Sequence, residues 1–466
     1  MLPKNVLYYG VDEPLAEQIL LRAGSLTVLL EDGDLRTIRL NNQEVIRRWY
    51  VAIRDPNWRT IAPEISNLQI QSAVDHFQVT YDVVNRDRDI DFAWRGTITG
   101  DAAGTITFTM EGTARSTFRR NRIGFCVLHP LECAGLPCRA VHTDGSVEEA
   151  HFPRFISPHQ PFKDLTAFEH QVLPEVWASL RFEGDTFEME DQRNWIDASF
   201  KIYCTPLGLP FPVTILEGER VWQRVTLSVN GSVTDIHVPR TENIVTSFDD
   251  TPIGDVPPLG LGVASHLQPL SSTAVERLRA LKLHHLRVDL RLNEPDVRST
   301  LARATEEARA LGVGLEIALF VRSDDADLTT LRRLLEDLCP KVAYWLIFPE
   351  RALVTQRADV EAVCAVLRAY DVSTPIGGGS NANFTEVNRE HPPMDLLDFM
   401  AFSIQPQEHA YDVRSVAETP EAIRDVLQSA REVSAGKPIA LTPITLRRRF
   451  NPYATAPEPT PEPGVL

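Results

Sequence analysis

The sequence predicts a multidomain β plus α/β protein: an N-terminal β-sandwich followed by a TIM-type (β/α)8 barrel truncated before its eighth strand. Three observations predict it. Residues 1–245 carry short alternating apolar and polar segments separated by Gly and Asp turns, whereas residues 259–452 alternate apolar strands with amphipathic helices. After the seventh such strand the chain passes into a Pro- and Glu-rich tail, 453–466. A length of 466 residues suits two to three domains.

In the first part, Ser25–Leu30, Leu35–Leu40, Phe77–Val83, Ile90–Trp94 and Gly104–Met110 alternate with period two. The turn signals Glu31–Asp34, Thr99–Asp101 and Thr143–Ser146 fall between such segments. Short strands at this spacing favour a sandwich over a parallel sheet. The polar, Pro-rich stretch 241–258 marks the boundary, with 246–258 as linker. Seven βα units then follow. Their strands lie at Leu259–Ser265, His285–Leu290, Val313–Val321, Val342–Phe348, Pro375–Gly379, Leu396–Phe402 and Lys437–Thr445. The helices between them include Thr273–Leu281 with Ser272 or Thr273 as N-cap, Val297–Leu311, Asp327–Leu338, Arg357–Ala369 and Pro420–Val433. Alternation of this kind builds a parallel sheet, and seven units in succession favour a barrel over an open sheet. A barrel lacking one strand has two unpaired edges. The expectation is therefore a chain cut short of its natural end, or a barrel closed by another segment.

Hydrophobic residues at 43% and charged residues at 24% describe a soluble globular protein, and a net charge of −17 argues against nucleic-acid or anionic-membrane surfaces. No run reaches the roughly 18 apolar residues of a membrane helix, and the first residues lack a signal-peptide layout. The six cysteines form no CxxC pair, which disfavours structural zinc and predicts reduced, buried thiols in a cytoplasmic protein.

A βα barrel places its site at the C-terminal ends of the strands, and polar residues collect there. His266 and Gln268 follow the first strand; Arg287, Asp289 and Arg291 lie in and after the second. Glu316 interrupts the apolar third strand, entering the barrel interior or facing the helices, with Arg322 and Asp324 beyond it. Glu350 follows the fourth, Asn381, Asn383 and Glu386 the fifth, and Gln405, Gln407, Glu408, His409 and Asp412 the sixth. Arg447–Arg449 follows the seventh and reads as a solvated face or a carboxylate clamp. Amides and guanidinium groups suit hydroxyls and carboxylates, while carboxylates and imidazole suit proton transfer. A small polyhydroxylated, acidic ligand fits this mixture. A buried Glu316 needs a partner such as Arg287, or stays protonated. Gly377–Gly379 would let a ligand approach the backbone closely, but no GxGxxG, P-loop, GxSxG or zinc-binding pattern is present, and no cofactor or metal is expected.

Arg122–Pro130, Phe187–Tyr203, Gly379–Arg389, Phe402–Asp412 and Thr445–Pro452 are long, idiosyncratic stretches. On these the sequence resembles the D-apionate lactonase family over nearly its whole length. The resemblance implies an N-terminal β-sandwich, a central barrel and a C-terminal β-domain, here absent. It also implies hydrolysis of D-apionolactone to D-apionate in the breakdown of apiose. Strand-end placement supplies the roles. Glu350 or Glu316 is the expected base and His409 the acid, with Asn383, Gln407 and Arg287 as oxyanion and hydroxyl donors. Asp289, Asn381, Glu408 and Arg447 complete the substrate-binding set. The Glu188–Trp195 stretch either reaches over the barrel mouth or docks the domains. Two rivals stay open, a glycoside hydrolase and a non-catalytic carbohydrate-binding protein. The first is weakened because the seventh strand ends in arginines with no carboxylate, the second because tryptophan is scarce at the strand ends.

Overall fold

Phe77–Asp87, Ile90–Gly100 and Ile106–Ala114 bury every second side chain, as strands with one face on a core must. The computed structural model describes residues 3–9, 12, 14–231, 247, 251–252, 254–264, 268–322 and 325–455. His266, Asp324, linker residues 246, 248–250 and 253, and the tail beyond Thr455 lie outside the described residues. Packing divides the chain into two units. The first comprises Met1–Pro239, Pro406–Asp425 and Arg447–Leu466, and the second Arg240–Gln405 and Val426–Leu446.

The first unit is a large antiparallel sheet. Its path starts with the hairpins Gln18–Ala23, Leu26–Glu31, Asp34–Leu40 and Gln43–Arg54, then crosses to Arg122–His129, Phe200–Tyr203, Phe187–Asp191 and Phe162–Leu173. It continues through Val176–Glu183, Arg220–Asn230, Ile106–Ala114, Ile90–Gly100 and Phe77–Asp87 to Pro63–Ser72. Asp32 and Gly33 at φ 48° and 80° form the tight turn that the Glu31–Asp34 signal predicts. The two ends of the path come together: the Gly24 N–H donates to the Asp75 carbonyl at 2.8 Å. The core is aromatic, with Phe108 meeting Phe125 edge-on at 4.9 Å and Trp49 5.9 Å from Phe108. The edge strand Pro63–Ser72 opens on a proline, which suits an unpaired edge, and is almost wholly solvated.

Among the described residues, the second unit contains seven parallel strands whose spatial order equals their chain order. They are Gly260–Gly262, His285–Arg291, Gly314–Val321, Val342–Pro349, Ile376–Gly379, Phe399–Ile404 and Ile439–Ile444. Gly314–Val321 is buried at every position, as a strand covered on both faces must be. Ala318, Phe320, Leu346, Phe348, Phe399 and Ala401 pack together on one face. The sheet curls: Arg287 on the second strand donates to Thr442 on the last at 2.9 Å.

Several local expectations are corrected. The helix Ser272–Ala280 is capped by Ser271, whose hydroxyl accepts from the Ala274 N–H at 3.2 Å, rather than by Ser272 or Thr273. The expected 420–433 helix is a 3-10 turn Thr419–Ala422 that leads into Ile423–Val433. Cys339 is exposed and Cys364 half-buried, whereas Cys126, Cys133, Cys138 and Cys204 are buried. The Gly377–Gly379 run makes room for the protein itself. A Cβ at Gly377 would meet the Phe399 ring at 2.4 Å, and one at Gly379, where φ is 142°, would meet the Ala401 carbonyl oxygen at 2.1 Å.

Candidate functional site

Two groups of ionisable side chains stand out, one in each unit. In the second unit, parallel register places Arg287 beside Glu316. Both are buried, at 5% and 2% exposure. The guanidinium is fully committed: Nε donates to Asp289 at 2.9 Å, Nη1 to Thr442 at 2.9 Å and Nη2 to Asn381 at 2.8 Å. The Thr442 hydroxyl in turn donates to Glu316, whose carboxylate stands 3.8 Å from Arg287 and 3.5 Å from His285. Burial raises the Glu316 carboxyl above its usual range, and the Thr442 hydrogen bond and Arg287 only partly offset it. Burial, with His284 and Arg287 nearby, lowers His285 to about 4, so the His285–Glu316 contact joins two groups that both favour their neutral forms. Arg287 is thus the partner expected for Glu316, but it acts largely through Thr442.

Around this group, Asp289 keeps 40% of its side chain exposed. Glu350 begins the loop after the fourth strand, 3.7 Å from Arg322. Asn383 is buried at the N-cap of Phe384–Arg389 and makes no side-chain cap bond.

The other candidates belong to the first unit. His409 Nδ1 lies 2.7 Å from Asp197, and its ring meets Trp195 edge-on at 5.3 Å. Glu408 lies 3.4 Å from Arg448; burial raises its carboxyl despite His409 and Arg448. Gln407 is half-buried and Arg447 exposed. Burial alone would raise Glu190, but Lys201, with which it is ion-paired, and His409 outweigh it and hold the carboxylate low. Within the Glu188–Trp195 stretch, Arg193 is sealed, pairing with Asp191 at 2.7 Å and Asp425 at 2.8 Å. The structure therefore brings Arg287, Asp289, Glu316 and Asn381 together, and separately joins His409 to Asp197 and Glu408 to Arg448.

Sequence reasoning missed Asp197, Gln192 and Thr442. The signal for the first two lay in the unusual polarity of Phe187–Tyr203, but the partner of Asp197, His409, is 212 residues away. Gln192 is buried, its Oε1 accepting from the Ser199 hydroxyl at 2.9 Å, and its Nε2 has no partner among the described residues. It lines, with His409, Asp197, Ser199, Arg47 and Arg48, a cavity of about 40 Å³ inside the first unit. Among the described residues no group of three or more His, Cys, Asp or Glu side chains is arranged to hold a metal ion. No helix among them is long and apolar enough to cross a membrane.

Comparison with known proteins gives a consistent result. The family described as D-apionate lactonase, N-terminal domain, matches residues 6–232, and that described as D-apionate lactonase, TIM barrel domain, matches residues 259–464. A D-apionate lactonase from Brucella anthropi is 32% identical over 96% of this chain and 76% of its own length. Among solved structures, a beta-arabinopyranosidase aligns at 9% identity over 91% of this chain and 66% of its own, with a TM-score of 0.31. A galactose mutarotase related enzyme from Lactobacillus acidophilus aligns at 10% identity over 47% and 99%, with a TM-score of 0.30.

Proposed function

This chain belongs to the D-apionate lactonase family, and from that premise we propose that it hydrolyses the lactone of a sugar acid, D-apionolactone, to D-apionate in apiose breakdown. The observation that carries the reading is 32% identity to a D-apionate lactonase sustained across 96% of the chain. Its partner is a small sugar lactone, with no nucleic acid and no membrane, in the cytoplasm, and the reaction needs no cofactor. The seven curled parallel strands are read as part of a (β/α)8 barrel, and the antiparallel sheet whose ends meet as a sandwich.

Lactone hydrolysis needs a base for water, donors for the tetrahedral oxyanion, and an acid for the leaving alkoxide. Asp289 and Asn381, each aligned by Arg287, suit the sugar hydroxyls, with Asn383 as a further contact of the second unit; Gln407, Glu408 and Arg447 are separate substrate-binding candidates of the first unit. Glu350, Glu316 and His409 are the proton-transfer candidates. Glu316 is the least suited to meet water, because its carboxyl is buried and already bonded to Thr442.

The test is acid release from D-apionolactone, with and without chelator. Hydrolysis unaffected by chelator is the expected result. No hydrolysis together with cleavage of an aryl glycoside would hand the chain to the glycosidases, and silence on both would leave a sugar-binding protein. Glu350→Gln is expected to lower kcat about 10²-fold if Glu350 transfers a proton, and Glu316→Gln much less.

A further inference from the structure

We propose that the cavity at His409 is the hydrolytic centre, with His409 as general base through Nε2, Asp197 as its positioning residue, and Gln192 and Arg47 as oxyanion donors. The inference rests on the lactonase reading and assigns that reaction a place. Asp197 at 2.7 Å fixes the imidazole with its proton on Nδ1. That leaves Nε2 as the acceptor, and it has no hydrogen-bond partner among the described residues. A carboxylate-held imidazole of this kind is how a neutral histidine is kept in the tautomer that takes a proton. The two side chains keep 17% and 15% exposure, enough to meet a water.

The cavity walls supply the other half of the chemistry. Ser199 holds the Gln192 oxygen and so turns Nε2 away from it, buried and unpartnered. Arg47 spends Nη1 on the Ala198 carbonyl and Glu421, and Nη2 lies near Glu44, yet its buried Nε is unpartnered. Among the described residues, the buried side-chain atoms without a hydrogen-bond partner on the residues that line this cavity are all donors. A buried donor without an acceptor is costly, and it is matched by a group that only accepts, as a carbonyl turning into an oxyanion does. About 40 Å³ admits on the order of three waters, or one ester group with its attacking water, while the sugar ring stays at the mouth.

The step balances. Nε2 takes a proton from water as its oxygen bonds to the lactone carbonyl carbon, and the carbonyl oxygen becomes the oxyanion held by Gln192 and Arg47. The intermediate collapses, the ring C–O bond breaks, and the leaving alkoxide takes the proton from Nε2. The acid formed ionises.

The near-isosteric Asp197→Asn, His409→Asn and Gln192→Leu test this on the full chain with D-apionolactone. In Asp197→Asn the introduced amide donates to Nδ1 and forces the proton onto Nε2, so kcat should fall at least 10²-fold with KM changed less than about twofold. His409→Asn should match it, and Gln192→Leu should lose about 10² in kcat. Nitrogen-15 spectra should show the His409 proton on Nδ1 in wild type and on Nε2 in Asp197→Asn, a change that a merely structural pair would not couple to kcat. Wild-type hydrolysis that survives intact in Asp197→Asn and His409→Asn overturns this site while leaving the lactonase reading standing. No hydrolysis by wild type overturns both. If either variant fails to fold, Gln192→Leu with unchanged kcat is enough to overturn the oxyanion assignment.

Discussion

The two ionisable groups differ in what they leave over. Around Arg287 every guanidinium nitrogen has a protein partner, Thr442 accepts from one side and donates to the other, and Glu316 is raised toward its neutral form. Around His409 the bonding is incomplete: a positioned imidazole with one nitrogen to spare, and two buried donors without acceptors. A saturated cluster holds its own geometry and presents Asp289 and Asn381. An unsaturated one is where bonds remain to be made to something else. The lesson is that burial and charge mark both groups, and spare hydrogen-bonding capacity separates them.

The comparison can be broken first at Arg287. Arg287→Met should destabilise the second unit by about 3 kcal/mol in denaturant titration, because it strips partners from Glu316, Asp289 and Asn381 at once. His409→Asn, by contrast, should leave the midpoint nearly unchanged. A loss under about 1 kcal/mol for Arg287→Met would mean that the cluster is not the scaffold described.

Acid sharpens the contrast next. His129 and His170 are sealed in the first unit beside Phe152 and Phe168. Burial pushes His129 well below the usual imidazole range and His170 to about 4, while the second unit has His285 at about 4. For a histidine whose folded value is depressed, the unfolded chain binds the proton first. Stability is therefore whole above about 6.5 and is lost as pH falls from there toward about 4. At pH 5 His170 alone costs about 2 kcal/mol and His129 adds to that loss, so the first unit, with two such histidines, should lose more than the second when unit-resolved unfolding is compared at pH 7 and pH 5. Equal losses would remove the distinction.

The smallest effect is expected at Thr442→Val. It keeps the shape but leaves an Arg287 donor and a Glu316 oxygen unmatched, for about 1–2 kcal/mol by thermal unfolding. No measurable change would show that the hydroxyl relay contributes nothing.

Much of the fold was legible because it is written in periods. The alternation in Phe77–Asp87 and the apolar runs of the parallel strands each follow from one segment's own pattern. Boundaries were less so: Ser271 caps where Ser272 or Thr273 looked equally suitable, since three adjacent hydroxyls carry the same local signal. The Arg287–Glu316 pairing was readable because parallel register couples neighbouring strands. Thr442 was not, being 126 residues from Glu316 and brought there by curling of the sheet. The Asp197–His409 pair spans 212 residues and joins two separate segments of the first unit. No local pattern encodes such a meeting. The glycine run was misread for the opposite reason, because its neighbours Phe399 and Ala401, not a ligand, occupy the space a side chain would need.

The three-segment make-up of the first unit bears on how the chain is born. Asp412 pairs with Arg36 at 2.8 Å, His409 with Asp197, and the Asn451 amide donates to the Asn57 carbonyl at 2.9 Å. During synthesis the antiparallel sheet emerges complete, yet its remaining partners are still to be translated, about 170 residues or more behind it. At roughly 5–20 residues per second, Arg36 and Asp197 wait on the order of ten seconds or longer for their partners. The unit that begins to emerge before the seven parallel strands is finished only after them.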